Sequence, residues 1–463
     1  MGTYTKEQLT DELNRIKTAT SACRDAIYNK GVTSIPADAS LGSLATYASM
    51  ITCDHPDILL EYIQAGDGSD TSQEAHVYFD TGFVPDASTT FEIVCSRPKT
   101  GSSNMMFGSY CYNIRLYSST YLLTYANSWQ TIDWNIGSTP STYGNMTYIS
   151  TSINGSTLSL TIDSSTYTKS ITVATKSDTS IYLFARHASD TNIAWTANSG
   201  SRIKYVKFYS SHNLVRFYVP VLHYYNGQYT PCFYDKVNDN YIYNLGSGTV
   251  IYSSTGDYLL DYLGPVEETA VPVTQSSYLR YDTGIVADTT IQIDTKFRLL
   301  WGKENYIYGS ATDGTTTPTW QNFTIGYPGN LTTLRAGFGA GDSISRVTNI
   351  TTIGLLAPCR TSMYFNKNYG KCYLNDALFS QEGDSTKFSS QTIHIFSRHG
   401  NSQNVPVRNG ARLYYCLISK SATAQRSYIP VLHNGSPYLL DLNNGTYNSP
   451  VAPAIPVTYS VLE

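Results

Sequence analysis

Asp57–Ile63 reads DILLEYI, and 200 positions later Asp257–Leu263 reads DYLLDYL. Four further stretches return in the same order. Tyr78–Asp86 (YFDTGFVPD) returns as Arg280–Asp288 (RYDTGIVAD), and Ile181–His187 (IYLFARH) as Ile393–His399 (IHIFSRH). Arg216–His223 (RFYVPVLH) returns as Arg426–His433 (RSYIPVLH), and Tyr234–Asp239 (YDKVND) is echoed by Leu440–Gly445 (LDLNNG). Five blocks in one order, with offsets that stay between 200 and 212, mean that one unit is written twice.

Inside each copy the pattern is that of strands. Thr157–Asp163 (TLSLTID) sets Leu158, Leu160 and Ile162 on one face and Ser159 and Thr161 on the other, as a half-buried strand requires. It follows the turn pair Asn154-Gly155, and a hairpin is expected in which the polar SSTYTK forms the turn to a second run, SITVAT. Turn residues recur along both copies and no long helical period survives. The expected fold is mainly β: two tandem antiparallel sandwiches, over 56–256 and 257–463, behind a helical module at 1–55.

In that module Thr5 and Gln8 form a capping box. Leu9, Leu13, Ile16, Cys23 and Ile27 then follow at helical spacing until Lys30-Gly31 ends the helix. A second short helix is expected from about Leu41 to Ile51, with Leu44, Ala48 and Ile51 inward. So small a core is not stable alone. Leu9, Leu13, Ile16, Ile27, Leu44 and Ile51 are therefore the expected anchoring or oligomerisation contacts, with packing on the first sandwich as the alternative.

Composition narrows the function. Thirty-one basic against 35 acidic residues give a net charge of −4, which argues against nucleic acid, since such binders need a basic surface to displace counterions. Charged residues are 14% of the chain, and 40 tyrosines with many Ser and Thr make the surface polar but neutral. No stretch is apolar enough to insert in a membrane, and MGTYTKEQLTDELNR has no apolar core, so no secretory signal is expected. The eight cysteines lack any CxxC pair and are expected as buried free thiols.

No catalytic residue is expected. The chain's ten glutamates form no E-x-D-x-E, the strand spacing that would set nucleophile and acid on one face, and GxSxG, HExxH and the P-loop are missing. Arg186-His187, Arg398-His399, His223 and His433 recur in both copies and read as structural: Arg pairing with a carboxylate, His bonding a loop backbone. Asp80-Thr-Gly82 and Asp282-Thr-Gly284 read as tight turns braced by Asp. The same aspartates are where a Ca²⁺ would sit at a sheet edge, but no acidic cluster specifies one, so no metal or cofactor is expected. Sugar binding asks for exposed rings beside hydrogen-bonding groups. The candidates are Trp129, Trp134, Tyr143 and Trp195, in stretches the second copy does not repeat; its own Trp301 and Trp320 stand elsewhere.

The blocks LLEYIQ, YFDTGFVPD, FEIV, YLFARH, RIKYVKFY, VRFYVPV and CFYDKVNDNYIYN resemble the LamG, concanavalin A-like modules in virion proteins of tailed phages of gut bacteria, crAss-like phages among them. The resemblance is strongest over 57–252. Ala26–Ile51 is similar to a helical segment at the start of phage fibre and tail proteins. The resemblance implies jelly-roll lectin sandwiches on a virion surface, assembled in the host cytoplasm. It also implies a homotrimer joined to other virion proteins through its N-terminal helices, and adhesion to host or mucosal glycans by a head or tail fibre or decoration subunit. Two alternatives stay open: a virion spacer without ligand, and a bacterial glycan-binding or glycan-cleaving protein.

Overall fold

The computed structural model describes residues 6–29, 36, 40, 55–66, 76–96, 103–110, 112–117, 121–125, 131–134, 145–170, 179–189, 192–197, 199–265, 279–298, 305–312, 321–327, 335–340, 344–346, 358–366, 369–383, 389–399, 405–406, 411–421, 423–451 and 457–462. The chain divides into two compact units, 1–56 (with Glu463) and 57–462. In the first, one 24-residue helix spans Lys6–Asn29, ending where Lys30-Gly31 was expected to end it. Leu13, Ile16 and Cys23 are exposed on it. The expected second helix, with Leu44 and Ile51, lies outside the described residues, as do the side chains of Leu9 and Ile27. Among the described residues no helix is long and apolar enough to cross a membrane.

The second unit is mainly β, two antiparallel sandwiches in tandem as the repeat implied. In the first copy one sheet runs Ser165–Ser170, Thr157–Ile162, Thr147–Asn154, Thr90–Ser96, Arg202–Ser210, Asn213–Tyr225, Gln228–Asp235, Asn240–Tyr243. The second copy repeats it strand for strand: Ala377–Gly383, Tyr369–Leu374, Cys359–Asn366, Ile291–Arg298, Arg412–Lys420, Thr423–His433, Ser436–Asp441, Thr446–Asn448. Register is kept too: Leu59 faces Val221 as Leu259 faces Val431. A separate back sheet closes each core, with eight strands in the first copy and six in the second among the described residues. Phe91, Ile93 and Phe208 meet Phe79, Phe107 and Leu183 across the first core. Ile293 and Ile418 meet Tyr281, Tyr308 and Ile395 across the second.

Two expectations need correction. SSTYTK is not a turn: Ser165–Ser170 is a strand that pairs along Thr157–Ile162, and the chain reverses at Asp163-Ser164, with Asp163 at φ 49°. It is a mostly exposed polar strand in which only Tyr167 is half-buried against the core, so hydrophobic period could not reveal it. Arg186 donates to the Tyr110 carbonyl, at 2.8 Å. His223 and His433 bond the carboxylates of Asp57 and Asp257 and not a loop backbone, and the side chain of Arg398 lies outside the described residues. His187 and His399 bond the Ser180 and Thr392 carbonyls, and Asp80 and Asp282 accept from the amides of Gly82 and Gly284, both at positive φ. Cys95, Cys232, Cys372 and Cys416 are buried free thiols, Cys359 is half-buried, and only Cys23 of the described cysteines is exposed.

The two copies do not stand apart. Residue 256/257, the expected boundary, falls inside one 16-residue strand, Val250–Pro265, which closes the first copy and opens the second. The outer faces of the two long sheets are buried against each other in a third apolar cluster. Equivalent residues supply it: Leu59 with Leu259, Tyr205 with Tyr415, Val219 with Ile429, Val221 with Val431. The same patch meets itself, the arrangement of an isologous dimer, here within one chain.

Polar groups in this seam break the symmetry. Lys207 Nζ lies 2.8 Å from Glu92 Oε2 and donates to Ser427 Oγ of the other copy at 2.9 Å; its side chain is 1% exposed. In the second copy Leu417 stands at the place of Lys207, and Asp294 at that of Glu92. Lys296, at the place of Val94, reaches back to Asp239 at 2.6 Å.

Removing one partner of a buried pair strands the other charge. Lys207→Leu, the twin's residue, is expected to cost about 3–5 kcal/mol in urea unfolding. Adding Glu92→Gln should recover at least half of that; an unaltered midpoint for the single variant would show that the pair is not buried.

Candidate site: a cleft between the two copies

Where the apolar seam ends, the two long sheets part to leave a cleft of about 470 Å³, within the size range of small-ligand sites. Thr90, Glu92, Thr151–Gly155, Tyr209 and His212 come from the first copy; Thr290, Ile291, Gln292, Tyr364 and Ser419 come from the second. Three equivalent pairs line it: Thr90 with Gln292, Tyr209 with Ser419, and Ser152 with Tyr364. The cleft therefore lies on the local twofold between the copies, yet each pair has diverged. A shallower depression of about 390 Å³ adjoins it over Ala87, Ser88 and Ser211.

His212 projects from the tight turn Ser211-His212, where φ is 50° and 71°. Such angles are uncommon for residues other than glycine. In the second copy Ser421, at the place of Ser211, also has positive φ, 51°, and the sequence has Ala422 at the place of His212. Its ring lies 5.1 Å from that of Tyr364 at 37°, and its carbonyl accepts from Gln292 Nε2 at 3.2 Å. One turn thus joins both copies at the cleft.

The electrostatics are muted. Desolvation of its cleft-side face, then repulsion from Lys371, holds His212 below its ordinary value, so the ring is neutral near pH 7. Burial, then the Glu92 charge, pushes the Tyr209 hydroxyl well up. Among the described residues Glu92 is the one carboxylate lining the cleft, and Lys207 already holds it. What remains is a neutral surface of rings, hydroxyls and amides.

Beside the cleft, Asp294 meets an aliphatic neighbour where Glu92 meets a lysine. Its Oδ2 accepts from Gln292 at 2.9 Å; its Oδ1 is buried without a hydrogen bond. Burial first, with the Glu92 charge adding to it, pushes Asp294 up to about 7.

The duplicated histidines belong to a second constellation. His223 Nδ1 is 2.7 Å from buried Asp57, Tyr241 donates to the same carboxylate at 2.7 Å, and the two rings stack at 3.9 Å. His433, Asp257 and Tyr447 repeat this at 2.7, 2.6 and 4.0 Å. Burial raises Asp57, and its two donors oppose that. Present in both copies and without a nucleophile, the cluster braces the sheet corner. Among the described residues no group of three or more His, Cys, Asp or Glu is placed to hold a metal.

The sequence candidates are not gathered here. Trp134 ends Thr131–Trp134 and Trp195 lies in Asn192–Thr196, the two outer strands of the first copy's back sheet. Five strand spacings put them about 24 Å apart. Trp129 and Tyr143 lie outside the described residues, as do Trp301 and Trp320. The cleft residues gave no signal because they come from six separated segments and meet only through the seam. The one hint was a mismatch between the copies at equivalent turns, His212 against Ala422.

No family model matches the chain, and no curated protein matches it. Among solved structures, mouse laminin alpha1 chain domains LG4-5 share 12% identity, covering 80% of this chain and 93% of that one at a TM-score of 0.27. The LG1-3 region of the laminin alpha2 chain shares 8%, over 79% and 97%, at 0.25. The botulinum neurotoxin serotype D binding domain shares 7%, over 88% and 97%, at 0.22. Likeness this loose carries no argument about function, which rests on the site itself.

A carboxyl raised in the folded state holds a proton that the unfolded chain has lost. Between about pH 4 and 7 stability is therefore expected to fall as pH rises, by up to about 1.4 kcal/mol per pH unit. Asp294→Asn should flatten that slope; a slope that survives would place its source elsewhere.

Proposed function

We propose that this chain is a non-enzymatic structural protein of a phage virion, a head or tail fibre or decoration subunit whose paired lectin-like sandwiches adhere to host or mucosal glycans. The observation that carries glycan recognition is the neutral cleft between the copies. A neutral imidazole offers a flat face to a sugar ring, and Thr, Ser, Asn and Gln beside it offer donors and acceptors for hydroxyls. Among the described residues the cleft's single carboxylate is tied to Lys207, whereas glycoside hydrolysis uses a pair of carboxyls, and this supports binding without cleavage. The virion setting is supported by the resemblance of the repeat blocks to virion modules.

The helix is where copies of the chain meet in this reading. Leu9, Leu13, Ile16, Thr20, Cys23 and Ile27 follow one another at alternating spacings of four and three, the seam of a coiled coil. Leu13 and Ile16 remain 52% and 46% exposed. In a parallel bundle Glu12 of one copy would face Lys17 of the next. A homotrimer would present three clefts, and weak single contacts would add through avidity.

Two measurements test this. On a glycan array, at least one glycan should bind the full chain, and His212→Ala with Asn154→Ala should weaken it about tenfold or more; binding that ignores both changes refutes the cleft, and an array without binding leaves the spacer. In sedimentation the full chain should run as a trimer and Leu13→Asp/Ile16→Asp as a monomer; a monomeric parent refutes the helical seam.

A further inference from the structure

The two copies differ most tellingly at one hairpin. In the second, His433 pairs with Ser436 across the turn Asn434-Gly435. In the first, His223 pairs with Thr230, and four further residues (Tyr224 facing Tyr229, Tyr225 facing Gln228) carry the ladder out to the turn Asn226-Gly227. Both turns hold Asn and Gly at positive φ, so the fold needs no more than the short form. Three of the four added residues are tyrosines. Tyr225 and Tyr229 are 45% and 38% exposed.

The added rings are not loose. Tyr225 stacks on Tyr243 at 4.5 Å and 27°, Tyr243 lies 6.5 Å from Tyr241 at 28°, and Tyr241 stacks on His223. Buried Asp57 fixes the inner end of that column through its bonds to His223 and Tyr241. The second copy keeps the inner end but has Ser449 at the place of Tyr243. The first copy has thus built onto a shared brace a stiff aromatic ledge at its rim. From Phe217 to Tyr234 the sequence holds no Asp, Glu, Lys or Arg, so nothing on the hairpin would attract a charged partner.

We infer that this hairpin tip is a second contact site, for the face of a neutral pyranose in a carbohydrate chain. Flat rings held in place match the C–H face of a sugar, while the Tyr hydroxyls, Asn226 and Gln228 can meet its rim hydroxyls. Tyr225 and Tyr243 lie against one another, which leaves no slot between them for a prolyl ring and disfavours an extended peptide. The hairpin and His212 terminate opposite ends of the strand Asn213–Tyr225, about 40 Å apart by strand rise, so the two sites are separate.

The test uses the full chain, titrated calorimetrically with maltohexaose, cellohexaose and laminarihexaose. Tyr225→Ala/Tyr229→Ala should lose about tenfold or more in affinity for at least one of them without a change in melting temperature. Tyr225→Phe, which keeps the ring, should retain that ligand, and so should His212→Ala, which reports on the cleft alone. The inference is overturned if the double variant binds all three like the parent, if the parent binds none, or if the same tyrosines bind a proline-rich peptide instead. Loss with His212→Ala but not with the tyrosine variant would sustain the cleft and remove the hairpin.

Discussion

Everything in this molecule that is not already in a single copy follows from the burial of one sheet face against its duplicate. A sandwich needs one face of each sheet for its own core and normally gives the other to water. Here the outer faces of both long sheets are taken from water as well, which turns two cores into three. Apolar area drives that contact, but area alone would permit several sliding registers. The Lys207–Glu92 pair and its bond to Ser427 fix one, because a misaligned seam would strand two charges in an apolar layer. Lys296 and Asp239 act in the same sense from the opposite direction.

Duplication followed by divergence explains the seam's chemistry. An isologous patch that met itself unchanged would set like against like, and a lysine would face a lysine. With Leu417 where the first copy has Lys207, one copy supplies the cation and the other its hydroxyl acceptor. The cost is visible at Asp294, twin of Glu92, which keeps its carboxyl but has lost any chance of a cross-strand lysine and is raised instead. The cleft obeys the same logic: inherited backbone, altered side chains, and a pairing of rings and amides that neither copy holds alone.

The sequence made the duplicated scaffold legible because conserved turns and strands announce themselves locally. Asp80-Thr-Gly82 read correctly as a braced turn, and Leu158, Leu160 and Ile162 as an inward face, since each depends on neighbours in the chain. The polar edge strand Ser165–Ser170 was missed because exposure to water leaves no period to read. Lys207 gave no signal in the sequence, for its burial comes from a sheet some 200 positions away. The sequence candidates for recognition were the tryptophans that the copies do not share. Two other divergences are smaller and lie apart, His212 against Ala422 in sequence, and a four-residue extension at the tyrosine hairpin.

The central claim is that recognition at the cleft is a property of the pair and not of either sandwich. Hydrogen–deuterium exchange on the full chain, with and without saturating array-selected glycan, tests it most directly. The account predicts that protection rises together at 151–155 and 209–213 of the first copy and at 289–293 and 362–366 of the second. Protection confined to one copy, or confined to the back sheet that carries Trp134 and Trp195, would contradict it.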